Sequence, residues 1–220
     1  MMKDSLLETG VFDEVLIPLS KKLYPEGEPS KLVNQKDDEL RHLLELKSML
    51  DGWFGEIEEG LIFFQDQAPP EIQKKLKRLT EGDAILDILD LVSDQIFILS
   101  IALKLESEEL ETLYASACEQ QEIDLHLARK LFMTLLFFNF TDPRFWVGLA
   151  YTYVKNEQHR EAKVIYEMAM NASSTSPMPC LYFAKYLIML NDPLAEDVIN
   201  EGLRRTTDEA TLKEFQSLSS

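Results

Sequence analysis

The chain has 220 residues, 45% of them hydrophobic, with 22 basic and 39 acidic side chains and a formal net charge of −17. That length builds one sizeable domain or two small ones, and so acidic a surface repels nucleic-acid phosphates and anionic lipid. Two cysteines, Cys118 and Cys180, make no disulfide framework and point to a reducing compartment.

From the N-terminus, Ser5-Leu6-Leu7-Glu8 fits a capping box opening a helix toward Leu23, with no signal-peptide pattern around it. Tyr24 to Ser30, rich in proline and glycine, reads as a turn or linker. A second helix is expected from about Asp37 to Gln65, with Leu40, Leu43, Leu44, Leu50, Trp53, Ile57 and Leu61 on its apolar face. Gly52, Gly55 and Gly60 are expected to kink or break it, and Ala68-Pro69-Pro70 to stop it. A short basic helix from Glu71 to about Leu79 and an apolar helix from Asp83 to Leu105 follow. The apolar runs 95–103 and 131–141 are too short to span a bilayer as helices, so no stable membrane insertion is expected.

Beyond Glu106-Ser107-Glu108-Glu109 a period emerges, which divides the chain into an N-terminal helical region, 1–106, and a repeat domain, 107–220. Pro143 and Pro177 stand 34 residues apart, as do Ala128 and Ala162, and Ala195 follows after 33. Thirty-four residues is the length of a tetratricopeptide hairpin of two antiparallel helices. The middle unit carries its signature: Trp146, Leu149, Ala150 and Tyr153, a turn at Asn156-Glu157-Gln158, then Ala162, Tyr166 and Ala169. Small residues at 150, 162 and 169 let paired helices approach, and the aromatic residues fill the space between hairpins. The predicted fold is therefore all-α, a three-repeat tetratricopeptide stack with hairpins at about 109–142, 143–176 and 177–206.

Three segments carry a closer likeness: Leu110 to Ala117; Ala128 to Leu135 leading into Asp142-Pro143-Arg144-Phe145-Trp146-Val147-Gly148-Leu149; and Ser176-Pro177 to Glu196. Over about 108–205 the chain resembles the class II, translocator-binding chaperones of bacterial type III secretion systems. The resemblance implies a cytoplasmic bacterial protein, often a homodimer, that holds an extended segment of a hydrophobic secreted translocator or effector in its groove. Residues 1–106 match no part of that family; they could bind a second client region, cross the groove or form a dimer interface. The other reading is a tetratricopeptide scaffold or adaptor subunit in a permanent assembly.

In a hairpin stack the first helix of each unit lines the groove. The candidate partner-binding residues are Leu113, Tyr114, Ala117, Gln120 and Gln121; Arg144, Val147, Gly148, Tyr151 and Val154; and Leu181, Lys185 and Ile188. They suit an extended peptide, or alternatively pack against the N-terminal helices. No catalytic function, cofactor or metal is expected: His42, His126 and His159 are scattered, with His159 placed in a turn, and neither cysteine has a ligand at metal spacing. Asp37-Asp38-Glu39 and Glu56, Glu58 and Glu59 read as solvated faces or helix-start charges. Lys74, Lys75, Lys77 and Arg78 read as salt-bridge formers rather than a nucleic-acid site.

Overall fold

The computed structural model describes residues 52–53, 55–79 and 99–218, and every regular element among them is α-helical. The expected helix at 5–23, the turn at 24–30, the start of the 37–65 helix and most of the 83–105 helix lie outside the described residues. The chain divides into two compact units, Met1–Asn139 and Phe140–Ser220. The boundary expected at Glu106-Ser107 therefore lies inside the first unit, and the first predicted hairpin belongs with the helices before it.

In the first unit, α1 (55–67) and α2 (Pro70–Lys77) flank Ala68-Pro69. Proline has no amide hydrogen to lose at the first helical position, so Pro70 opens α2 at no cost. Gln73 Nε2 donates to the Ala68 and Asp66 carbonyls, at 2.9 and 3.1 Å, and stitches the turn. Ile57, Leu61 and Phe64 of α1 and Ile72 and Leu76 of α2 are buried at helical spacing. A short helix, α3 (Leu99–Ala102), is followed by a turn in which Lys104, a non-glycine residue, takes φ 55°.

The next helix, α4 (Ser107–Ile123), starts with a capping box. The Glu109 carboxylate accepts from the Glu106 amide at 2.7 Å, and the Glu106 side chain accepts in return from the start of the helix. Lys75 clasps this start, donating to Glu109 at 2.6 Å and to the Lys104 carbonyl at 2.7 Å. Burial raises the Glu109 pKa, but the hydrogen bonds from Lys75 and the Glu106 amide, with the Lys75 charge, hold it below the ordinary value. After one residue the chain reverses into α5 (Leu125–Phe138), whose first turn is capped by Asp124 through the His126 and Leu127 amides.

Two sequence expectations change where α1 meets α5. Gly60 does not break its helix, which runs on to residue 67. It is a point of close approach instead: a Cβ there would lie 2.3 Å from Thr134 Oγ1 and 2.7 Å from the Lys130 carbonyl. The Thr134 hydroxyl lies 2.9 Å from that carbonyl and 3.1 Å from the Ile57 carbonyl, so a buried polar group bridges the helices. Glu56 is not a solvated charge, because Arg129 holds it through two bonds of 2.8 and 3.0 Å; Glu59 is exposed, as the sequence suggests, and pairs there with Lys130.

The second unit consists of α6 (Pro143–Lys155), α7 (His159–Ala172), α8 (Met178–Met189), α9 (Leu194–Arg205) and α10 (Glu209–Leu218). The 34-residue period is present in the backbone. Glu157 and Asn191, 34 apart, both take positive φ, 59° and 53°. Each sits in the same stop: Asn156, Glu157 and Gln158 donate to Thr152, Val154 and Tyr153, and Leu190, Asn191 and Asp192 donate to Tyr186, Ile188 and Leu187. His159 is the first residue of α7 rather than part of the turn.

Ala150, Ala162 and Ala169 are fully buried where the repeat needs small residues, and Trp146 is buried with its indole donating to the Phe140 carbonyl at 2.6 Å. Arg205 donates to the Met170 and Ser173 carbonyls at the C-terminal end of α7, where a cation meets unsatisfied acceptors. The final helix, α10, did not emerge from the sequence. Its one buried residue, Phe215, lies over Gly202, where a Cβ would stand 2.1 Å from the ring.

Candidate functional site

The first hairpin turns a different face inward than the second. Ala115, one period before the buried Leu149, is exposed, whereas Ala117, one period before the half-buried Tyr151, is fully buried; Leu113 and its counterpart Val147 are both buried. Of the candidate partner residues in α4, only Tyr114, Gln120 and Gln121 retain surface, and the Tyr114 ring packs edge-on to Phe132 at 6.1 Å.

In the second unit, Val147, Gly148 and Leu181 are buried. Arg144 is half-buried and engaged with Asp142, which accepts from the Arg144 guanidinium at 2.7 Å while capping α6. Tyr151 and Val154 are half-buried, and Lys185 and Ile188 are exposed. Two neighbours of these residues were missed. Tyr182 is 46% exposed and Met189 60% exposed, large values for such side chains. Both were within reach of the period, because Gly148 plus 34 is Tyr182 and Lys155 plus 34 is Met189. The face of α6 and α8 open to solvent is thus Tyr151, Val154 and Lys155 with Tyr182, Lys185, Ile188 and Met189.

Behind this face lies a group of phenols. Tyr166 of α7 stacks on Phe183 at 5.1 Å between ring centroids and meets Tyr186 at 5.6 Å. The Tyr186 hydroxyl is 2.8 Å from His159 Nδ1. Burial pushes the Tyr166 phenol far above its ordinary pKa, helped by Tyr186, Tyr182 and Tyr151, so the outer tyrosines lie within electrostatic range of the buried one. Tyr186 is raised by burial and eased by Lys163. Lys163 in turn pairs with Asp192, which holds the ammonium pKa up and the carboxyl pKa down.

Two lysines lie over outer tyrosine rings, Lys155 5.2 Å from the Tyr151 centroid and Lys185 5.6 Å from that of Tyr182. Lys185 also reaches Glu214 of α10 at 2.9 Å. Such a face can bind: the tyrosines offer wide, stiff apolar contact and a hydroxyl, and the lysines offer donors.

Among the described residues no group of three or more His, Cys, Asp and Glu could hold a metal, and no helix is long and apolar enough to cross a membrane. No family model matches the chain, and no curated protein matches it. A solved chain titled "CopN-Scc3 complex" is similar at 20% identity and a TM-score of 0.47, over 63% of this chain and 85% of that one, a likeness too low to assign a role.

Proposed function

We propose that this chain is a cytoplasmic chaperone of a type III secretion system, binding an extended apolar segment of a secreted translocator or effector along α6 and α8 and keeping it soluble. The observation that carries the reading is the open face of Tyr151, Val154, Tyr182, Ile188 and Met189 on the first helices of consecutive hairpins. An extended segment laid across two such helices meets aromatic and aliphatic side chains, with tyrosine hydroxyls available to its backbone. The segment resemblance in the sequence supports the choice of client. The role is binding and release, not catalysis.

The test is co-expression with a secreted protein that has long apolar helices and precipitates when made alone. The wild-type chain should bring it into the soluble fraction as a complex. Tyr151→Asp with Ile188→Asp, both at solvent-accessible positions, should leave it insoluble while circular dichroism of the chain is unchanged. A client equally soluble with both chains would refute the reading.

A further inference from the structure

The described methionines differ sharply in their access to solvent. Met133 and Met168 are buried, and Met170 and Met178 are half-buried. Met189, by contrast, is 60% exposed. Tyr182, Lys185 and Met189 stand at i, i+3 and i+7 in α8, so the thioether continues the stripe that presents the Tyr182 ring, with the exposed Ile188 beside it. The backbone beneath the sulfur is closed, because the amides of Leu190, Asn191 and Asp192 all return to carbonyls of α8. Most of the Met189 side chain is already in water, so a change at its sulfur alters the open face and not the core.

Resting on the function proposed above, we infer that Met189 is a reversible oxidation site that switches client binding on this face. The oxidant is a peroxide. The sulfur lone pair attacks one oxygen of hydrogen peroxide, an S–O bond forms, the O–O bond breaks, and the other oxygen leaves as water after proton transfer. Sulfur gives up two electrons and the peroxide takes them. A methionine sulfoxide reductase with a dithiol runs the change back: two electrons and two protons return, the oxygen leaves as water, and the dithiol becomes a disulfide.

Polarity turns that chemistry into a switch. A thioether is soft, apolar and adaptable, which suits an apolar segment laid against it. A sulfoxide carries a strong dipole that needs water or a hydrogen-bond donor. Under an apolar segment it loses the water, and Lys185, one turn away, is already paired with Glu214. The two thiols do not act on this face. Cys180 is buried, with its thiol pushed up to about 11, and Cys118 lies on α4 of the first unit.

The test treats the full-length chain with hydrogen peroxide at neutral pH and follows its tryptic peptides by mass spectrometry. Cleavage after Lys185 and Arg204 separates Met189 from every other methionine. Met189 should gain one oxygen at least about tenfold faster than Met133 and Met168 in the native chain. Treated and untreated chains are then compared, by anisotropy, for binding of a fluorescein-labelled peptide alternating leucine with glutamine. Oxidation should weaken binding by about tenfold with circular dichroism unchanged, and methionine sulfoxide reductase with dithiothreitol should restore it. In Met189→Leu, whatever its starting affinity, peroxide should leave binding as it was. Three results overturn the inference while the groove reading stands: Met189 oxidised no faster than the buried methionines, wild-type affinity indifferent to peroxide, or an equal loss in Met189→Leu. An untreated wild-type chain that binds no peptide overturns the groove reading and the switch together.

Discussion

The Gly202–Phe215 contact makes a sharp prediction because its sign changes with background. Alanine at 202 would put a Cβ 2.1 and 2.4 Å from two ring carbons of Phe215 and 3.0 Å from Cys180 Cβ, against an ordinary carbon contact of about 3.5–4.0 Å. The ring must retreat by more than an ångström, and Phe215 is fully buried, so it has no open side to retreat to. Overpacking of this kind costs about 1–3 kcal/mol. Against it stands the better helix propensity of alanine, about 1 kcal/mol in the interior of α9. Gly202→Ala should therefore destabilise by about 0–2 kcal/mol in the wild-type chain. Phe215→Ala should cost about 3–5 kcal/mol by itself, and it should melt α10, a ten-residue helix with no other buried side chain. With the ring gone, the tightest contact left to Gly202→Ala is Cys180 Cβ at 3.0 Å, which a shift of a few tenths of an ångström relieves, and the substitution becomes stabilising by up to about 1 kcal/mol. Urea unfolding of the four chains, followed by circular dichroism, closes the cycle, with an expected coupling of about 1–3 kcal/mol. If Gly202→Ala costs the same with and without Phe215, the glycine is not there for the ring.

Two further outcomes follow from burial. Because Tyr166 keeps its proton in the folded chain well above the ordinary phenol value of 10.0, the folded state holds one more proton than the unfolded state as pH rises past about 10, and stability falls there. Tyr166→Phe should make the decline between pH 9.5 and 11.5 shallower, by at most about 1.4 kcal/mol per pH unit. Superimposable urea midpoints across that range would show the phenol is not shielded; Tyr186, also raised, supplies the slope that remains. Cys180 is buried and its thiol pushed up to about 11 by that burial, whereas Cys118 is half-buried. A thiol reagent at neutral pH should modify Cys118 at least ~100-fold faster than Cys180 in the native chain, and both at similar rates in denaturant. Equal native rates would contradict the packing around Gly202 and Phe215.

What the sequence carried by itself was whatever depends on neighbours a few residues apart. The 34-residue period, Asp142 and Pro143 at the start of α6, and the small residues at 150, 162 and 169 all act within one hairpin, where 3.6-residue spacing and capping rules apply directly. The turn at 156–158 was legible for the same reason, and its counterpart at Asn191 follows from it. Tertiary structure decided the pairings whose members lie far apart in sequence. Glu56 with Arg129, Gly60 with Thr134, Lys75 with Glu109 and Gly202 with Phe215 join different helices, and a charge or a glycine looks the same in sequence whether it faces water or a helix. The open face of the second unit shows both levels at work. Periodicity led to Tyr151, Lys185 and Ile188, but only packing determined that Val147, Gly148 and Leu181 turn inward beside them while Tyr182 and Met189 turn out. Burial is a property of the neighbours a helix acquires, not of its own residues.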